Sequence, residues 1–524
     1  MIYIIYYFKS NKLRMKEEYE SAYLCGFLGT STTTNIIPRN TNMDCYEELI
    51  INDLIEMVFL KPYFQECLEI MKEDIKKIKS NTPNCKIILF GNFSKNNYDI
   101  LLKKYNIIDA VIVGDLESTC YELVFNKIPL LKCPGMATMN TNDLIVNEKP
   151  KLIDLNLIPA ANRKISLEID QAFVEVQFSK GCLFNCSFCI ETKKKPVRFK
   201  SIDLCVKELE DLNKNFGFKY FTIKDLSFED RNVLLNKNQL DLFAEKILEK
   251  GLNIYYCVHF RAGSFTDKDK QLLNKLRKSG LNNCLVGIES FVEYDLNFYE
   301  KGVRSFENIN FIKLLKECFI EPSCSFIFIH SLSRLEDIKY NIEKTYDLNL
   351  TAFLPPLLNV MTVHKNTKIY EKLNKLNMIH IDSTSPYNVL VRYNYTAVEN
   401  MANVFKKQFM NKKIWDLYYP IKLINININD LNFKFRGNLL FNEKLLASIY
   451  NLLHEINNVN YKLLVNITEL CEKSKIIEAE ELFDKHHNDF ANRYSDKLKD
   501  FRILLLKEIK GNEKILENYR KKTI

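Results

Sequence analysis

The feature that most restricts the fold is a rhythm of short apolar segments separated by helical patterns between residues 173 and 370. Strands are expected over residues 174–178, 220–223, 254–258, 284–288, 325–329 and 357–363. Such strand–helix units form most of a (β/α) barrel, whose active site lies at the carboxyl ends of its strands. The first 150 residues repeat the rhythm, with strands expected over 2–8, 54–60, 86–90 and 110–113. Phe64, Cys67, Leu68, Met71, Ile75 and Ile78 recur between the second and third at helical spacing. This βαβ succession predicts a doubly wound, Rossmann-like domain that takes ligands at its strand carboxyl ends.

A stretch over 132–169, with Pro134-Gly135, Pro150 and Pro159, reads as an ordered linker. Beyond residue 375 the sequence is Asn- and Lys-rich with apolar stripes at helical spacing, one of Leu445, Ile449, Leu452, Leu453 and Ile456, another of Tyr494, Leu498, Phe501 and Leu505. The expected α/β architecture is therefore a Rossmann-like domain over 1–150 with a connector to about 170, a partial (β/α)6 barrel over 171–375, and a mainly helical C-terminal region over 376–524 covering the substrate side. A chain of 524 residues exceeds one ordinary core.

Composition narrows the function. A net charge of +8, from 74 basic and 66 acidic residues spread along the chain, gives no reason to expect nucleic acid as a partner. No window reaches the roughly 18 apolar residues of a membrane-spanning helix, and the short run from Ile2 to Phe8 reads as a buried strand rather than a leader. The 15 cysteines show no disulfide-like framework in a chain large enough not to need one, so a cytoplasmic location is expected. Cysteines clustered there call for metal or redox chemistry.

Such a cluster occurs at Gly181-Cys182-Leu183-Phe184-Asn185-Cys186-Ser187-Phe188-Cys189. Thiols at offsets of four and three residues can hold three irons of a [4Fe–4S] cubane and leave the fourth without a protein ligand. Zinc would require a fourth Cys or His, which the neighbouring sequence does not supply; His259 could reach only through the fold. Three unrelated buried cysteines are an open alternative, against which stands their placement after an apolar strand, and a thioredoxin-like Cys186–Cys189 pair would leave the third cysteine and the barrel rhythm unexplained.

The CxxxCxxC spacing, with Phe188 before the last cysteine, resembles the signature of the radical S-adenosylmethionine (SAM) superfamily. The resemblance extends to Phe221-Thr222-Ile223-Lys224-Asp225, to Ile254–Arg261 with the helix start Thr266-Asp267, to Gly287-Ile288-Glu289-Ser290 and to Lys301-Gly302. Upstream, Val111-Ile112-Val113-Gly114-Asp115-Leu116-Glu117, Pro134-Gly135 and the connector Asp154-Leu155-Asn156-Leu157-Ile158-Pro159 resemble the subgroup with a cobalamin-binding-like domain. The pattern departs at Asn92 after Gly91, at His330-Ser331-Leu332 and at Lys365-Asn366-Thr367; the N-terminal domain has no histidine.

This resemblance implies cluster ligation by Cys182, Cys186 and Cys189, and SAM binding by Phe188, Asp225, Arg261, Glu289 and Ser290. For Glu289 the alternative is a pair with a nearby base, for Arg261 a structural salt bridge, and for Asp225 a helix cap. Gly91, Gly114 and Glu117 are the implied contacts to cobalamin; no catalytic residue is assigned. The implied activity is reductive cleavage of SAM, followed by methyl or other group transfer to an unactivated position of a peptide or natural product. Cobalamin-free cyclisation or rearrangement and a non-catalytic iron–sulfur sensor are the alternatives. A reducing donor such as flavodoxin or ferredoxin, and a small-molecule or peptide substrate, are the implied partners. Lys193-Lys194-Lys195 reads as a solvated charge run. His486-His487 is unsuited to metal binding because adjacent helix positions face apart, and Trp415, Tyr418 and Tyr419 read as core.

Overall fold

A computed structural model describes residues 1–8, 17–41, 55–168, 173–193, 196–235, 238–382, 385–435 and 443–522. The N-terminal sheet contains β1 (Ile2–Phe8), β2 (Thr34–Asn40), β3 (Met57–Pro62), β4 (Lys86–Leu89), β5 (Ala110–Ile112), β6 (Met136–Asn140) and β7 (Asp143–Val146). Their order is β2-β1-β3-β4-β5-β6-β7; β1 to β5 pair in parallel, and β6 and β7 add antiparallel. The continuous apolar sequence of β1 follows from this position, because helices cover both faces of a central parallel strand. Its odd residues join a core with Met71, Ile75 and Ile78 of the helix Leu68–Asn81, and its even residues Ile2 and Ile4 join Ala22 and Leu24 of the helix Tyr19–Leu28.

The second region contains β8 (Phe173–Val176), the short antiparallel pair β9 (Ser179–Lys180) and β10 (Arg198–Phe199), then β11 (Tyr220–Ile223), β12 (Tyr255–Arg261), β13 (Leu281–Glu289) and β14 (Glu321–Phe326). Five of these form a wholly parallel sheet in the order β14-β13-β12-β11-β8. The strand expected over 357–363 is instead a 3-10 turn at Pro355–Leu358 followed by a single parallel bridge from Val360 to Ile329. Pro355 and Pro356 lack the amide hydrogens a ladder needs, so the sixth barrel position is held by one bridge.

The third region opens with a hairpin, β15 (Ile379–Ile381) and β16 (Val389–Val391), and continues as the helices Thr396–Phe409, Lys412–Phe435, Glu443–Glu472 and Ile476–Lys522. These helices share the barrel's apolar core. The helix Lys412–Phe435 sits against the amino ends of the strands: Asn425 and Asn429 donate to Glu321 at 3.1 and 3.0 Å, and Lys434 reaches the Tyr255 hydroxyl at 2.7 Å. The hairpin packs on the opposite side, with Ile379, Val389 and Val391 in one apolar cluster with Phe188. Its turn reaches the N-terminal domain, Tyr387 against Phe93 at 5.5 Å and Ser385 on Gln65. The cover expected from the helices thus falls to the hairpin.

A buried ion pair fastens the helical region below the barrel. Arg277 is 2% exposed, donates through Nε to the Phe319 carbonyl at 2.9 Å and pairs through Nη2 with Asp430. Removing one partner of such a pair strands the other charge away from water. Asp430→Ala is expected to cost about 3–5 kcal/mol in urea unfolding, and Asp430→Asn less; an Ala variant as stable as a surface substitution would show that the pair does not anchor the region.

Candidate active site at the cysteine loop

The cysteine loop is built on buried carboxylates and one buried guanidinium. Asp225, at the end of β11 and fully buried, accepts the amides of Phe178 and Ser179 through Oδ1 at 2.7 and 2.8 Å. Asp230 accepts the amide of Leu183, inside the loop, at 3.0 Å. Arg231, 1% exposed, donates to the carbonyls of Phe178 at 2.6 Å and Lys200 at 2.7 Å. Its Nη2 stands 4.0 Å from Asp225 Oδ2, and its guanidinium lies over the Phe199 ring. Burial raises the carboxyls of Asp225 and Asp230 above their ordinary values, against the pull of hydrogen bonds and neighbouring arginines. Glu229 accepts the amide of Arg261 and the Ser264 hydroxyl, both at 2.8 Å, and burial pushes it up to about 7.

Gly181 turns the chain into the loop with φ 93°, a conformation open to glycine and strained for other residues. The far side of the loop is held by Ser187, whose amide and hydroxyl donate to the carbonyls of Tyr299 at 2.8 Å and Phe298 at 2.9 Å. Cys186 is buried, and Cys182 and Cys189 are half-buried. Burial pushes the Cys182 thiol up to about 12, and Asp230, Cys186 and Cys189 act on it in the same direction. Desolvated thiols that act on one another in this way ionise when a cation lies among them. No three His, Cys, Asp or Glu side chains among the described residues converge as a cage for a single metal ion.

The other expected residues divide. The Arg261 guanidinium stacks 3.8 Å from the centroid of Phe184 in the loop and interacts with Cys182 and Cys186. Glu289 ends β13 with φ 63°, beside a register shift, and its Oε1 accepts from Lys301 at 2.9 Å. A Cβ on Gly287 would lie 2.7 Å from Lys301 Nζ, and one on Gly302 would lie 3.2 Å from Arg261 Nη2. The Gly287–Glu289 and Lys301-Gly302 segments and Arg261 therefore meet in one place. Phe188 is half-buried, edge-on to Tyr299 at 5.7 Å. The Ser290 hydroxyl donates to Asp295 at 2.7 Å and accepts from Asn341 and the Val292 amide, fully buried within the protein. Asp225 caps no helix; it holds the start of the cysteine loop through Oδ1, while Oδ2 has no hydrogen bond.

Beside the loop a crevice of about 330 Å3 separates the barrel from the N-terminal domain. Gly91 and Gly114 line it at the carboxyl ends of β4 and β5, while Gln177, Lys180 and Gly181 form the facing wall. Lys180 pairs with the fully buried Glu117, and Arg198 with Asp115, so two ion pairs join the domains. Lys180, Arg198, Glu229, Asp230 and Arg231 were not singled out from sequence. The charged run Glu229-Asp230-Arg231, in the segment that follows β11, was the available signal; the partners of Lys180 and Arg198 lie more than 60 residues away. Lys194 and Lys195 lie outside the described residues. His486 bonds Asn460 at 3.0 Å and Tyr418 at 3.2 Å, and Trp415 donates to the Phe409 carbonyl at 2.9 Å.

The family model of the radical SAM superfamily matches residues 176–339. An uncharacterized methyltransferase of Pyrococcus horikoshii is 24% identical over 355 residues, 64% of this chain and 74% of its own length. An anaerobic magnesium-protoporphyrin IX monomethyl ester cyclase of Cereibacter sphaeroides is 21% identical over 432 residues, 76% of this chain and 68% of its own. Among solved structures, the cobalamin-dependent SAM radical enzyme OxsB, with aqua-cobalamin and SAM bound, superposes with a TM-score of 0.67 at 14% identity, covering 97% of this chain and 84% of OxsB. The radical SAM methyltransferase TsrM of Kitasatospora setae, with cobalamin and a [4Fe–4S] cluster bound, gives 0.57 at 14% identity, over 90% of this chain and 99% of TsrM. The matched segment begins at the end of β8 and contains all three loop cysteines, so residues 176–339 carry a radical SAM domain, and the likeness in fold to OxsB and TsrM continues upstream over the Rossmann-like domain.

Proposed function

We propose that this enzyme transfers a methyl group to an unactivated position of a small-molecule or peptide substrate, with the methyl carrier held in the interdomain crevice. The observation that carries the reading is the shared wall: Gln177, Lys180 and Gly181 line the crevice, and Cys182 is the next residue of the loop. A [4Fe–4S] cluster with SAM supplies a 5′-deoxyadenosyl radical once a reducing partner, such as flavodoxin or ferredoxin, delivers an electron. The chain's own part is to hold and shelter. Cys182, Cys186 and Cys189 would hold the cluster by three of its irons. Arg261 brings a positive charge beside them, and Glu289, fixed by Lys301, offers a carboxylate oxygen for the amino or hydroxyl groups of SAM.

Cobalamin suits the crevice by position, since Gly91 and Gly114 bring backbone without side chains to the sheet edge facing the loop. It would supply the methyl group. A second reading, cobalamin-free cyclisation, is favoured by one observation: Asp115 and Glu117, on the turn expected to meet the cofactor, are both taken by Arg198 and Lys180 across the crevice.

Cys186→Ser, after anaerobic reconstitution, is expected to lose most of its iron and to form no 5′-deoxyadenosine while keeping its circular dichroism spectrum; product formation by this variant would refute cluster ligation. Glu289→Gln is expected to keep its iron and weaken SAM about tenfold or more, as loss of roughly 1.4 kcal/mol requires; an unchanged SAM affinity in equilibrium titration would remove Glu289 from the site. Anaerobic addition of cobalamin is expected to give a stoichiometric complex with a shifted visible spectrum, and absence of any complex would favour the cyclisation reading.

A further inference from the structure

A second cavity, of about 500 Å3, lies between the amino end of β14 and the helices Lys412–Phe435 and Glu443–Glu472. Glu321 is the first residue of β14, whereas the cysteines follow the carboxyl end of β8. A six-residue strand at roughly 3.3 Å per residue spans about 20 Å, so the cavity is at the other end of the barrel from the loop. Its size lies within the range of small-molecule sites, and Phe319, Leu350, Phe353 and Pro356 give it apolar walls.

Glu321 shares this cavity with Lys316 and Lys422, which both act on it electrostatically though neither forms an ion pair with it among the described residues. Each Glu321 oxygen accepts one amide hydrogen, from Asn425 or Asn429, and a carboxylate has about four acceptor sites in all, so capacity remains. Lys422 lines the same space, half-buried, with no ion pair or hydrogen bond among the described residues. Ser323 has a buried hydroxyl with no partner. An acid and a base held apart in one half-apolar cavity are complemented by a molecule that carries both charges.

We propose that this cavity binds a zwitterion, an apolar amino acid or short peptide, with its ammonium on Glu321, its carboxylate on Lys422 and its side chain against Phe319 and Phe353. The site is independent of the chemistry at the cysteine loop and of the methyl-transfer reading. The chain's single tryptophan reports on it, because Trp415 stands edge-on to Phe353 at 6.2 Å.

The full-length, anaerobically reconstituted enzyme is titrated with the dipeptide phenylalanyl-leucine, with its N-acetyl derivative and with its C-terminal amide, following Trp415 emission and calorimetric heat. The free dipeptide is expected to bind saturably in the millimolar range or tighter, and each blocked form about tenfold or more weaker. Glu321→Gln should erase the discrimination against the acetylated form and Lys422→Met that against the amide, with iron content unchanged in both. No saturable binding of the free dipeptide, equal binding of the three probes, or discrimination that survives both substitutions would each overturn the proposal.

Discussion

The structure turns on a few buried charges beneath the cysteine loop. Asp225, Asp230 and Arg231 stand within eight residues after β11, and together they fix backbone groups at Phe178, Ser179, Leu183 and Lys200. Hydrogen bonds to charged groups contribute roughly 1.5–3 kcal/mol each, and a buried carboxylate that lost them would carry its desolvation cost alone. The arrangement is therefore nearly all-or-none. Either the loop closes over this floor, or the floor itself is unstable. A flexible nine-residue segment thereby acquires the rigidity that a cluster site requires.

That floor also sets the position of everything around it. The loop leaves β8 through Lys180, which is tied to Glu117 of the N-terminal domain, and returns through Arg198, tied to Asp115. The domain crevice and the cysteines are thus held in one register by the same short stretch of chain. On the barrel side, Glu289 and Lys301 neutralise each other with little water around them, and Arg261 lies flat on Phe184. The helical region, seated on the amino ends of the strands, leaves this face to the β15–β16 hairpin, whose turn bridges to the N-terminal domain.

What the sequence disclosed follows the range of the forces involved. Strand β1 was legible because its apolar run is continuous and buried on both faces, and β8 and β11 because their apolar residues alternate with exposed or half-buried ones. The cysteine loop was legible because its ligands are local. Strand β2 was missed: it is an edge strand containing Pro38, half-buried along most of its length, and so lacks the apolar signal of a central one. The hairpin of β6 and β7 was hidden in an apparent linker, since its residues pair only with the sheet edge and with each other. Ser290 shows the limit of a motif. It follows Glu289, but the left-handed turn at Glu289 ends the strand there, and the Ser290 hydroxyl is held by Asp295 and Asn341. The ion pairs across the crevice depend on the docking of two domains, which no local pattern encodes.

The central claim is that the loop leaves one iron of a cubane without a protein ligand. Mössbauer spectroscopy of the enzyme reconstituted with iron-57 tests it most directly, with and without SAM. The account predicts that one iron in four changes its isomer shift when SAM binds and that the other three do not. Four irons indifferent to SAM, or a site that holds a single mononuclear metal, would contradict it.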